Sequence, residues 1–116
     1  MTFNPYQMFD VKGKVALIIG ATGAFGSVAS RTLAGAGCNL AITGGNKEAL
    51  TEISKECVQI GSTTLSINER PENEDNCKSI LDKTIEKYKR IDILVVASGI
   101  NKVSKIDEMS VDTFTS

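Results

Sequence analysis

Histidine is absent from this sequence of 116 residues. The side chain most used as a general base near neutral pH, and the commonest metal ligand, is therefore missing. A Ser-His-Asp triad is excluded and a zinc site is not expected. Cysteine is scarce as well. Cys38, Cys57 and Cys77 are odd in number and have no close spacing, so they read as buried thiols in a reducing compartment. No run of about 18 apolar residues occurs, and no basic-then-apolar start. Neither a transmembrane helix nor a signal peptide is expected, and the location is expected to be cytoplasmic. The net charge of -1 makes no electrostatic case for nucleic acid or an anionic membrane. What remains is an ordinary globular composition, 41% hydrophobic and 23% charged, in a length that suits one small domain.

Residues 1–12 read as an irregular lead-in around Pro5. Lys14 to Ile19 is apolar on nearly consecutive positions, as buried parallel strands are. Val28, Ala29, Thr32, Leu33 and Ala36 then recur at helical spacing, and Gly35 and Gly37 mark the helix end. Asn39 to Thr43 is a second strand, followed by a turn at Gly44, Gly45 and Asn46. Leu50, Ile53, Cys57 and Ile60 define one face of a second helix closed by Gly61. Thr63 to Ile67 alternates as a third strand, and a polar loop follows around Pro71. Cys77, Ile80, Leu81, Thr84, Ile85 and Tyr88 are expected to line the buried face of a third helix. Ile91 to Ala97 is the fourth strand. The order β-α-β-α-β-α-β implies an α/β fold with parallel strands and right-handed crossovers.

Between the first strand and the first helix stand Gly20, Gly23 and Gly26. A strand that turns straight into a helix aims the helix's first N–H groups, and the positive end of its dipole, at open space. Glycines there permit a tight turn, close approach of a pyrophosphate and close packing of helix on strand. This placement points to a dinucleotide; packing of the helix on the sheet is the plainer alternative. An Asp or Glu at the end of the second strand binds the ribose 2′-hydroxyl of NAD, whereas a nearby Arg accommodates the 2′-phosphate of NADP. Here Gly44 and Gly45 carry neither an acid nor a base. Gly44 does not repel a phosphate, which leans the expected cofactor towards NADP over NAD. Lys47 is within reach of such a phosphate, or is a solvated residue of its helix.

The segments GKVALIIGATGAFG, SRTLAGAGCNLAITGGNKEAL, KRIDILVVASGI and IDEMSVDTF together resemble the short-chain dehydrogenase/reductase (SDR) family over nearly the whole chain. The resemblance implies a Rossmann-like, doubly wound parallel sheet of strand order 3-2-1-4, incomplete on the fourth-strand side, with residues 13–116 forming the dinucleotide-binding half. It further implies an NAD(P) cofactor and hydride transfer to or from a small alcohol or ketone. Gly20, Gly23, Ala24, Phe25 and Gly26 are then expected around the pyrophosphate. Gly44, Gly45 and Arg70 would meet the adenosine, and Ser98 and Gly99 the nicotinamide-side ribose.

The chain departs from the family pattern in several places. Ile19 stands for the threonine that opens the usual loop and Ala24 for its middle glycine, leaving Gly-x-x-Gly-x-x-Gly. Val96-Ala97-Ser98-Gly99 stands where Asn-Asn-Ala-Gly is usual, and Arg70 where an Asp usually meets adenine. The family's catalytic Tyr-x-x-x-Lys pair is absent: four residues beyond Tyr6 and Tyr88 stand Asp10 and Asp92. No catalytic residue is assigned within 1–116. The readings left open are a component of an SDR oxidoreductase that is not catalytically complete by itself, a non-catalytic SDR-like subunit (a pseudoenzyme) paired with an active partner, and an interaction domain without nucleotide. A homo- or hetero-oligomer with an SDR chain is expected, since the fourth strand would otherwise present an apolar unpaired edge.

Overall fold

The computed structural model describes residues 10–97. The first strand, β1 (Val15–Ile19), is buried at all five positions. Its run of Val, Ala, Leu and Ile leaves no polar face, so the strand is stable only with cover on both sides. It sits inside a four-stranded parallel sheet of order β3-β2-β1-β4, with β2 (Asn39–Thr43), β3 (Thr64–Ile67) and β4 (Ile93–Val96). Leu17 lies opposite Ala41 in β2 and Leu94 in β4. The connections are helical: α1 (Ala24–Gly35), α2 (Lys47–Ile60) and α3 (Glu74–Tyr88). This is the doubly wound arrangement that the strand and helix order implies.

The two sheet faces carry separate cores. On one, Ala16, Ile18, Leu40 and Ile42 pack with Ala34, Leu50, Ile53 and Cys57 of α1 and α2. On the other, Leu17, Ile19, Ala41 and Ile67 pack with Ile80 of α3. Full burial of each Leu or Ile contributes about 1.5–3 kcal/mol. The helices that matter only for packing are capped by their own sequence. Asn46 Oδ1 accepts from the Ala49 amide (3.1 Å) at the start of α2, and Asn73 Oδ1 from the Asn76 amide (2.8 Å) at the start of α3. Gly61, at φ +117°, ends α2 in the left-handed conformation.

Four expectations on burial are corrected. The buried stripe of α1 is Gly26, Ser30 and Ala34; Val28, Thr32 and Ala36 face outward. The fully buried positions of the helix are small, with Leu33 half-buried against the same core, and the Ser30 hydroxyl is satisfied by the Gly26 carbonyl at 2.7 Å. On α3, Ile80 and Thr84 are buried and Tyr88 is half-buried, but Cys77, Leu81 and Ile85 are exposed. A single helix line meets this sheet, and the second apolar line lies beside it. Ile60, at the last turn of α2, is exposed as well. Of the three thiols, Cys38 and Cys57 are buried and Cys77 is not; burial pushes the first two thiols up, so they stay protonated.

On β4, Leu94 and Val96 share the sheet face that Leu17 and Ile19 present to α3, yet both are exposed. Among the described residues no helix is long and apolar enough to cross a membrane.

Candidate functional site

The site forms where the carboxyl ends of β1, β2 and β3 meet the start of α1. Gly20, directly after β1, has φ +83°, a conformation that costs an ordinary residue about 1–2 kcal/mol. The turn is then fastened to β2. The Gly20 amide donates to Thr43 Oγ1 (3.2 Å) and the Ala21 amide to the Thr43 carbonyl (2.8 Å).

Helix α1 begins one residue after Gly23, its N-cap, which is extended at φ -75° and ψ 173° and has no side chain to cap with. The first helical bond is Ser27 N–H to the Gly23 carbonyl (2.9 Å). The amides of Ala24, Phe25 and Gly26 therefore have no acceptor among the described residues. No acidic residue stands in this first turn, whereas α2 carries Glu48 there and α3 carries Glu74 and Asp75. Three free N–H groups at the positive end of a helix dipole suit an anion, above all a phosphate. Gly26 completes the cradle: a β-carbon there would overlap the Gly20 carbonyl oxygen and lie 2.9 Å from Ala21 Cα. The backbone of the loop can fold back on the helix only if residue 26 is glycine. These residues fit the pyrophosphate of a dinucleotide.

The rim continues along the strand ends. Gly44 is buried against the loop, where a β-carbon would lie 2.8 Å from Thr22 Cγ2 and 3.5 Å from Leu50 Cδ1. Gly45 is exposed and the Arg70 guanidinium rests on it. Asn68 Nδ2 donates to the Gly44 carbonyl (2.8 Å) and the Gly44 amide to the Ile67 carbonyl (3.3 Å). Gly20, Gly23, Ala24, Phe25, Gly26, Gly44, Gly45 and Arg70 thus come together along one edge. Ser98 and Gly99, like Tyr6, lie outside the described residues.

Thr22, Thr43 and Asn68, which hold this edge in place, were not expected from the sequence. A threonine closing an apolar strand and an asparagine opening a proline-containing loop are the signals that point to them.

Two titratable residues lie away from the site, at the amino ends of the strands. Asp92 Oδ2 accepts from the Val15 amide (2.8 Å) and pairs with Arg90 Nε (2.9 Å). The amide bond first, then the charges of Arg90 and Lys14, hold its carboxyl below the ordinary value. The Tyr88 hydroxyl donates to the Leu40 carbonyl at 2.7 Å, and burial pushes its pKa up. Tyr88 is a clasp across β2, at the opposite end of the sheet from the glycine loop.

The sequence pattern of the short chain dehydrogenase family matches residues 14–116. An uncharacterized oxidoreductase of Mycobacterium tuberculosis is 37% identical over 106 residues, which are 91% of this chain and 38% of that protein. The crystal structure of a short-chain type dehydrogenase/reductase from Mycobacterium marinum matches with a TM-score of 0.81 at 28% identity, over 97% of this chain and 46% of that one. A 7α-hydroxysteroid dehydrogenase, solved with NADH and 7-oxo glycochenodeoxycholic acid, matches with a TM-score of 0.81 at 25% identity, over 98% of this chain and 44% of that one. The chain spans less than half the length of each of these relatives.

Proposed function

This chain belongs to the short-chain dehydrogenase family, and we propose that it supplies the cofactor-binding part of an NAD(P)-dependent oxidoreductase acting on a small alcohol or carbonyl compound. The observation that carries this reading is the uncapped start of α1, with its three free amides beside the Gly20–Gly26 contact. A structural helix end would be capped, as α2 and α3 are; this one is held open. The first-turn amides bind the pyrophosphate, the carboxyl ends of β2 and β3 take the adenosine, and a bound nicotinamide supplies or accepts hydride. The acid/base group comes from a residue other than Tyr88, whose hydroxyl is committed to the sheet.

The test is a titration of the full-length protein with NADPH and NADH, followed by nicotinamide fluorescence. Saturable enhancement with either cofactor is the expected result. No change at millimolar cofactor would overturn the proposal. It would favour the second reading, a subunit that keeps the fold and pairs with an active relative. That reading draws on Val96 and Ala97, which replace the amides usual at the end of β4. Co-purification with a second short-chain dehydrogenase carrying an intact Tyr-x-x-x-Lys segment would support it.

A further inference from the structure

We propose that the free edge of β3 is a docking site for an extended peptide segment of another protein, one that carries an acid two residues before an aliphatic residue. Among the described residues β3 pairs only with β2, and the chain leaves the sheet from β4, at the opposite edge. The Thr63 and Ile67 carbonyls accept from the Leu40 and Gly44 amides on the β2 side. Alternate residues of a strand send their main-chain groups to the same side, so Thr64 and Ser66 turn theirs outward. Natural edge strands are usually guarded by a charge, a proline or a bulge. Thr64–Ile67 has no charge and no proline, and its register with β2 is unbroken. The edge is also preformed: at the start of the strand Ser62 Oγ donates to the Cys38 carbonyl (2.8 Å), and at its end Ile67 is tied to Gly44.

This edge is roofed. A groove of about 340 Å³ runs beside it, lined by Thr51, Ser54, Lys55, Val58 and Gln59 of α2 and by Ser66 of β3. A strand added to β3 would send alternate side chains under that overhang. Thr64 Oγ1, on the same face as Ser66, is the one buried side-chain polar atom without a partner among the described residues; such atoms nearly always have one. The last turn of α2 leads into β3, so the exposed Val58 stands towards the Thr64 end, with Lys55 one turn back. Lys55 is the only charge in the lining, and among the described residues no carboxylate pairs with it. An antiparallel peptide makes the more stable pairing. It would meet Lys55 with an acid and, two residues on, Val58 with Val, Ile or Leu. A four-residue edge and this one groove fall well short of the roughly 1,000 Å² that a stable dimer buries. A second copy would also bring a like charge to the groove. The occupant is accordingly a short segment of a partner, not another copy of this chain.

The experiment is fluorescence anisotropy of a labelled, end-capped peptide, Thr-Thr-Glu-Thr-Val-Thr-Thr, titrated with full-length wild type, Lys55→Glu and Ser66→Pro. A second peptide has Lys in place of Glu. Wild type is expected to bind the Glu peptide saturably and the Lys peptide at least about fivefold more weakly, the scale of an exposed charge pair lost and reversed. Lys55→Glu should invert that order. Lys55 is exposed and tied to no other side chain among the described residues, so this variant should fold. Ser66→Pro removes an outward N–H from an edge strand, where proline is tolerated, and should weaken the Glu peptide more than about tenfold. Its thermal melt shows whether the sheet is intact, and if it does not fold the charge swap still decides. No saturation at millimolar peptide, or the same peptide preference in wild type and Lys55→Glu, would overturn the proposal. So would a wild-type dimer in sedimentation velocity that Ser66→Pro dissolves, which would give the edge to a second copy. Peptide binding without any binding of NADPH or NADH would sink the cofactor proposal and leave this one standing.

Discussion

The carbonyl oxygen of Gly20 occupies the place where a β-carbon on Gly26 would sit. The two glycines have different reasons to be glycine. Gly20 needs its left-handed φ, whereas Gly26 needs its missing side chain. Gly26→Ala should therefore destabilise the protein by about 3 kcal/mol or more, at the upper end of overpacking costs, because the clashing atoms are backbone and cannot rotate away. Urea denaturation of the full-length protein measures this. A loss under 1 kcal/mol would mean that α1 is free to lift from the loop.

Gly23 is under no such steric demand. A β-carbon there meets only the Gly20 carbonyl oxygen, at 3.8 Å. Its value lies in leaving the helix start uncapped. Gly23→Asp should stabilise the fold by about 0.5 kcal/mol through capping and the helix dipole. It should also abolish cofactor binding, since its carboxylate takes the amides meant for phosphate. Ala24→Pro separates the two effects. Residue 24 is the first helical position, where proline is favoured, and the extended Gly23 before it accepts one. That variant removes one phosphate-facing N–H with little change in stability and should weaken NAD(P)H binding roughly tenfold. Thermal melts read the first effect and fluorescence titration the second. Unchanged affinity in both variants would place the phosphates elsewhere.

The sheet was legible because buried parallel strands advertise themselves as continuous apolar runs. Asn39–Thr43 coincides with the expected strand, and α2 buries Leu50, Ile53 and Cys57 as their spacing implies. Helix α1 was not legible by the same rule. Apolar ranking favours Val28 over Ser30, but a helix held against its sheet by glycine contacts buries what is small. Ser30 and Thr84 are admissible inside because each hydroxyl returns to a carbonyl one turn back, at 2.7 Å and 2.8 Å. At the site, the glycines could be read from local geometry alone. Thr43 and Asn68 could not, since their bonds join strand ends more than 20 residues apart in sequence.

The carboxylates predict an acid limb of stability. Asp92 and Glu69 both have lowered pKa values in the folded protein, from ordinary values of 3.8 and 4.5. The unfolded chain therefore takes up protons first as pH falls. Their stabilisation is complete above those ordinary values and is lost as pH drops through the lower folded ones. Asp92→Asn keeps an acceptor for the Val15 amide but loses the Arg90 pair. It should lower Tm near neutral pH and flatten the slope of Tm below about pH 4. Glu69→Gln, which loosens the contact with Lys83 and Ser79, should flatten it again. An acid slope identical to wild type in both variants would show that neither group is coupled to folding.

Tyr88 allows a prediction of opposite sign at high pH, and it bears on whether this tyrosine does chemistry. Its hydroxyl donates to the Leu40 carbonyl, and burial raises its pKa above the ordinary 10.0. The unfolded chain releases that proton first, so the stabilisation is complete below pH 10 and falls as pH rises through the higher folded value. Tyr88→Phe should cost about 1 kcal/mol at neutral pH, the net value of one hydrogen bond, and should remove its share of the alkaline decline. The difference between the wild-type and Tyr88→Phe curves isolates the phenol. NADPH affinity should not move, because the hydroxyl sits at the amino end of β2 and the glycine loop at the carboxyl ends. A variant of normal stability that fails to bind cofactor would place Tyr88 in the site after all.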